Sequence, residues 1–300
     1  MTTATMPDSL QTRYQDVSDR VARAAQKSGR KPGDVILVAV TKHADPEQIK
    51  SMLQLGHRDF GENKAQMLIQ HAAIVEEFFT RQVIHQTTRK VRSAEAAEML
   101  FRPATGVGLS PHVGQPNSKD GLRWHMIGHL QRNKAKKVVD IARLIHSLDS
   151  LRLAEELQAI AVRKDQPIDV LLQVNCSGEP SKFGCLPAAA IPLAEQLTTM
   201  INVRLRGVMT MAAPTDKGEE ARPTFARCRE LFEEMQKEGF GKHAPFNILS
   251  MGMSNDYEAA IAEGANIVRV GSAIFGDQPP SRPEEPEDRE DPDAPDETEA

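Results

Sequence analysis

The stretch VILVAVTKH, residues 35–43, is an apolar, β-branched run that ends in a lysine. Its composition reads as a buried strand, with a turn following at Pro46. A buried strand has no packing use for Lys42 at its C-terminal end. What that lysine does depends on how many such strands surround it.

Working outward, the strand pattern recurs at HRDFGE (57–62), WHMIGHL (124–130), ARLIHSLD (142–149) and IDVLLQVN (168–175). It continues at VRLRGVMTM (203–211), FNILSMGM (246–253) and NIVRVGSAIF (266–275). Between the strands lie amphipathic stretches such as PEQIKSMLQLG and PTFARCRELFEEMQKEG, with Pro46 and Pro223 where a first helical turn accepts proline. A further helix, with Leu10, Tyr14, Val17, Val21 and Ala24 on one face, precedes the first strand, and Asp8 is its expected cap. Eight strands alternating with helices predict an α/β fold, a single (β/α)8 TIM barrel. A doubly wound open sheet is the competing topology, but no GxGxxG follows the first strand.

Two segments break the rhythm. Residues 82–121 interrupt the chain between the second and third strands, beginning with a helical-looking piece and ending rich in Gly, Pro and Ser. They are expected to be a loop-side insertion. Residues 277–300 are acidic and proline-rich and are expected to be a disordered tail. The barrel is thus assigned to 1–276. The net charge of −5 divides into −9 in the tail and +4 in the rest.

Composition narrows the function classes. Aromatics are 4% with Trp124 the sole tryptophan, so a base-stacking nucleic-acid surface is not expected. Lys134, Lys136 and Lys137 read as a solvated helix face. No segment approaches the roughly 18 apolar residues of a membrane helix, and the N-terminus shows no signal peptide. Three cysteines without CxxC spacing point to reduced thiols and a cytoplasmic setting. His125 and His129, four apart, lack a third metal ligand nearby.

In a barrel, residues at the C-terminal ends of the strands share one mouth. Those residues are Lys42, Glu62, Asn63, His129, Gln131, Asn175, Thr210, Met211, Ser254, Arg269, Gly271 and Ser272. Ser254 near a helix start and the Gly271-Ser272 turn could bind a phosphate after strands 7 and 8, or be a cap and a tight turn. Lys42 could snorkel to solvent, or be a desolvated amine forming a Schiff base with an aldehyde. Arg269, between Val268 and Val270, faces the interior by alternation and needs an acceptor. A salt bridge to Glu62 or a pyridine nitrogen would serve. An arginine there would keep such a nitrogen unprotonated and the cofactor a weak electron sink. A lysine imine beside a phosphate pocket points to pyridoxal 5′-phosphate (PLP).

The blocks LVAVTK, FGENKAQ, WHMIGHLQRNK, QVNCSGEPSKFG, LRGVMTM and LSMGMSNDYEAAIAEGANIVRVGSAIFG together resemble the pyridoxal phosphate homeostasis (YggS/PROSC) family, over residues 35–276. The barrel of that family is similar to the N-terminal domain of alanine racemase. The resemblance implies Lys42 as the lysine of the internal aldimine, Asn63 from the GEN block, a phosphate cradle of Ser254, Gly271 and Ser272, and Arg269 at the pyridine nitrogen. It implies a carrier of PLP in intracellular PLP and amino-acid homeostasis, without a clear catalytic activity and with no catalytic residue assigned. Its partners would be PLP and PLP-dependent apo-enzymes, with no nucleic acid, membrane or metal. The alternative is a PLP-dependent amino-acid racemase, which needs a second proton-transfer group. The only tyrosines, Tyr14 and Tyr257, are not expected at the mouth, and no second β-domain follows Gly276, which favours a monomer. The Lys42-to-Pro46 spacing, the 82–121 insertion and the acidic tail depart from the family pattern.

Overall fold

Eight parallel strands join in sequence order, and the eighth pairs with the first, from Ile36 opposite Ile267 to Ala39 opposite Val270. The computed structural model describes residues 9–80 in full, the backbone of 81–91, and residues 121–180, 182–215, 217–240 and 244–276. The expected insertion beyond residue 91 and the acidic tail lie outside the described residues.

The element order is α1 (Leu10–Lys27), β1 (Ile36–Val40), α2 (Pro46–Gln54), β2 (Asp59–Glu62), α3 (Ala65–Val91), β3 (Arg123–Met126) and α4 (Arg132–Val139). It continues with β4 (Ala142–Leu148), α5 (Leu151–Lys164), β5 (Ile168–Gln173), α6 (Pro187–Thr198), β6 (Val203–Met209) and α7 (Arg222–Lys237). The last elements are β7 (Ile248–Ser250), α8 (Tyr257–Ala262), β8 (Ile267–Val270) and α9 (Ser272–Phe275). This is the (β/α)8 barrel that the strand pattern predicts.

Local chemistry explains the element boundaries. Helix α1 is capped by Ser9, one residue past the expected Asp8, because the Ser9 hydroxyl accepts the amide of Thr12. Asp45 and Gln48 form a reciprocal capping box at α2, with Pro46 in its first turn. Helix α3 runs to Val91 because residues 65–91 contain neither glycine nor proline, so helix continues into the segment assigned to the insertion. Strand β8 stops at Val270 and SAIF turns into helix α9. The expected strand over 266–275 is thus half strand and half helix, since Gly271 accepts the amides of Ile274 and Phe275 instead of continuing the ladder.

The main core fills the layer between strands and helices. A smaller one, Val38, Leu144, Leu171, Met209 and Ile267, sits inside the barrel. Below it Asp169 accepts from Arg143 (2.9 Å), Arg204 (2.7 Å) and Arg206 (3.1 Å), which closes the N-terminal end of the barrel with paired charges.

Candidate functional site

The opening lysine is placed by the residue before it. Thr41 follows β1 and points outward, where its hydroxyl donates to the Glu62 carboxylate. Glu62 is fully buried and also bonds His71 Nδ1 on α3 at 2.8 Å. With Thr41 and Glu62 tied down on the outer face, strand alternation turns Lys42 and Asn63 the other way, into the mouth. Glu62 is therefore not the partner of Arg269.

A cleft of about 830 Å³ opens at the C-terminal end of the barrel, and Lys42, Asn63, Ser254, Arg269, Gly271 and Ser272 all line it. Gly128 is needed for its floor: a Cβ there would lie 2.0 Å from the carbonyl oxygen of Asn63. Only glycine lets the loop after β3 pass so close to the end of β2.

Arg269 is 3% exposed and faces the same interior as Ile267. It donates from Nη1 to Ser250 Oγ at 2.7 Å and from Nη2 to the Thr210 carbonyl at 2.9 Å. Burial pulls its guanidinium down to about 10, opposed by the nearby Asp256 carboxylate, so it stays a cation at neutral pH. Two of its five N–H groups are committed to these protein acceptors.

At the other end of the cleft, Ser254 Oγ accepts the amides of Gly271 and Ala273, each at 3.3 Å. Loop β7–α8 and the first turn of α9 thus meet at one hydroxyl. A Cβ at Gly271 would lie 3.3 Å from the Val40 carbonyl oxygen, so the turn packs against β1, two residues before Lys42. Asp256 also lines the cleft. Its carboxyl accepts the Met253 amide, and burial raises its pKa.

An amine at one strand end, a hydroxyl with converging backbone amides, and a buried guanidinium form a donor set that fits an anionic aldehyde cofactor. Lys42 could serve as a nucleophile, the Ser254–Gly271–Ser272 turn could hold a phosphate, and Arg269 could donate to a ring nitrogen.

Comparison with known proteins identifies the family. The alanine racemase N-terminal domain family matches residues 21–279. Pyridoxal phosphate homeostasis proteins of Pseudomonas aeruginosa and Aquifex aeolicus are each 34% identical to this chain. The first covers 87% of this chain and 92% of its own length, the second 89% and 97%. The chain belongs to the pyridoxal phosphate homeostasis protein family. Its fold is similar to that of PipY of Synechococcus elongatus solved with PLP bound, with TM-score 0.59, 30% identity, and coverage of 87% of this chain and 100% of PipY.

Other strand-end residues divide between the cleft and its supports. His129 and Met211 line the cleft, whereas Asn175 holds the following loop by donating to the Glu179 and Lys182 carbonyls. Thr210 donates its hydroxyl to the Val174 carbonyl. Strand β3 ends at Met126, so His125 and His129 do not share a strand face. His125 is buried against Asp59 and His146, while His129 sits on the loop beside Asp149, its ring stacked on Phe183 with centroids 4.6 Å apart. Among the described residues, no group of three or more His, Cys, Asp or Glu side chains could hold a metal.

Sequence reasoning missed Gln173, Phe183 and Met253, which also line the cleft. Gln173 could have been found: it is the last residue of β5, on the face shared with Asp169 and Leu171. Phe183 reaches the cleft through a loop whose path no periodicity describes.

Proposed function

We propose that this chain holds PLP in the mouth cleft, with Lys42 as its covalent anchor, and serves in intracellular PLP and amino-acid homeostasis as a carrier rather than a catalyst. The observation that carries this reading is the convergence of Lys42, the Ser254 turn and Arg269 on one cleft of about 830 Å³. The bound form of PipY and the names of the homeostasis relatives support the choice of cofactor.

PLP supplies an aldehyde carbon that a neutral amine can bond, with loss of water. Lys42 supplies that amine. With the cofactor bound, Ser254, Gly271 and Ser272 would hold its phosphate end, Asn63 would border the anchor, and Arg269 would donate to the ring nitrogen and keep it unprotonated. Racemisation would need a second proton-transfer group opposite Lys42. Tyr14 bonds His57 Nδ1 at 3.2 Å and Tyr257 is buried in α8, and neither lines the cleft.

PLP-dependent apo-enzymes are the partners that a carrier implies, and we propose that it works as a monomer in the cytoplasm. No helix among the described residues is long and apolar enough to cross a membrane, and all three cysteines are free.

The experiment is a PLP titration of the purified chain followed by absorbance. The wild type is expected to turn yellow and hold the colour through gel filtration, and Lys42→Ala is expected to lose it. Retention of the same absorption band by a folded Lys42→Ala protein refutes the anchor.

A further inference from the structure

Arg269 touches no carboxylate directly among the described residues, yet a chain of hydrogen bonds leads from it through the barrel interior. Ser250 Oγ, at the end of β7, accepts from Arg269 at 2.7 Å and lies 2.9 Å from His146 Nδ1 on β4. His146 Nε2 lies 2.9 Å from His125 Nδ1 on β3, and His125 Nε2 lies 3.2 Å from Asp59 Oδ1 on β2. Asp59 ends the chain in a forked pair with Arg123, at 2.6 Å from Nε and 2.5 Å from Nη2. Ser250 and His146 are fully buried, and His125 is 3% exposed.

Donor–acceptor logic gives the hydrogens one direction. Arginine only donates, so Ser250 Oγ accepts from it, and the one hydroxyl hydrogen has only His146 Nδ1 left to receive it. His146 then carries its hydrogen on Nε2 and gives it to His125 Nδ1. His125 in turn carries its hydrogen on Nε2 and gives it to the Asp59 carboxylate. The opposite arrangement leaves the Ser250 hydrogen buried without an acceptor, at a cost of about 1–3 kcal/mol. It also needs an imidazolium at His125, since a bare Nε2 facing a carboxylate would pair two acceptors. Burial holds His146 well below the ordinary imidazole range, aided by the Arg269 cation, which agrees with a neutral ring.

We propose that Ser250, His146 and His125 form a one-directional hydrogen-bond chain through the barrel, ending on the Asp59–Arg123 pair, that fixes the Arg269 guanidinium against the ring end of the cofactor. Ser250 and His146 are then positioning residues that act through Arg269. The Thr210 carbonyl holds the other guanidinium nitrogen, so the cation has two fixed points and presents its remaining edge to the cleft. The cofactor half of the proposal rests on the PLP-binding reading, whereas the direction of the chain does not.

The test is nitrogen NMR of the full-length chain with 15N-labelled histidine at pH 7.5, without and with PLP. Signals are assigned by His146→Gln and His125→Gln. Both rings are expected to be neutral with the hydrogen on Nε2 even without PLP. A His146 ring protonated on Nδ1, or a doubly protonated His125, overturns the chain. A second arm uses Ser250→Ala, checked for folding by circular dichroism. It is expected to bind PLP about ten-fold more weakly, with a displaced absorption maximum, and Ser250→Thr to restore both. A folded Ser250→Ala with wild-type affinity and spectrum overturns the positioning role. If the wild type takes up no PLP, the functional reading and the cofactor half fall together, while the ring protonation result stands or falls separately.

Discussion

Ser254 Oγ sits 3.3 Å from the amide nitrogen of Gly271 and 3.3 Å from that of Ala273, tying the loop after β7 to the helix after β8. The contact shapes the end of the cleft assigned to a phosphate. Removing the hydroxyl takes away one donor and loosens the turn. Ser254→Ala is expected to weaken PLP binding about three- to ten-fold with little change in melting temperature, since the hydroxyl is only partly buried. Fluorescence titration measures the affinity. An unchanged value removes Ser254 from the cradle.

Glu62 is a structural support of the same mouth. One carboxylate oxygen takes both the Thr41 hydroxyl and His71, at full burial. Glu62→Ala leaves two buried polar groups without their acceptor. It is expected to cost about 2–4 kcal/mol, read from urea denaturation midpoints. A loss below 0.5 kcal/mol would show that the strand ends do not depend on this contact.

Asp59 predicts the acid limb of stability. Burial alone would raise its carboxyl, but the hydrogen bonds from Arg123 and His125 outweigh burial and hold it well below the usual range. A depressed folded value means stability that is complete above the unfolded carboxylate range and lost as the pH falls towards the folded value. Urea midpoints of the wild type are therefore expected to fall below about pH 4, where the unfolded carboxyl protonates first. Asp59→Asn is expected to be less stable at pH 7 and to show a shallower decline. Parallel acid limbs would contradict the assignment.

The PLP-loaded chain is expected to show no steady racemisation of alanine or other amino acids on a chiral column, because neither Tyr14 nor Tyr257 lines the cleft that holds Lys42. Sustained inversion would replace the carrier by an enzyme.

The legible part of the fold was its strand rhythm. Runs such as residues 35–41 and 168–175 are apolar enough that composition alone predicts a buried strand, and eight of them predict closure. Strand ends were less legible, since Leu130 and the AIF of 273–275 are apolar but lie in a loop and a helix. Hydrogen bonding to Gly271 decides the second case, and no periodicity encodes it. That the six expected cofactor residues would line one cleft was legible because each lies at or just past the C-terminal end of a strand, so topology brings them together without knowledge of side-chain packing. The chain from Ser250 to Asp59 was not legible. Its members come from four strands, and register pairings such as Gly61 opposite His125 are tertiary facts.

The most direct measurement is peptide mass spectrometry after borohydride reduction of the PLP-loaded protein. The reduced cofactor is expected on one peptide, at Lys42, in the wild type, and on no peptide in Lys42→Ala. A stoichiometric label on any other lysine, or an unlabelled Lys42 in protein that holds PLP, would contradict the assignment of this lysine as the anchor.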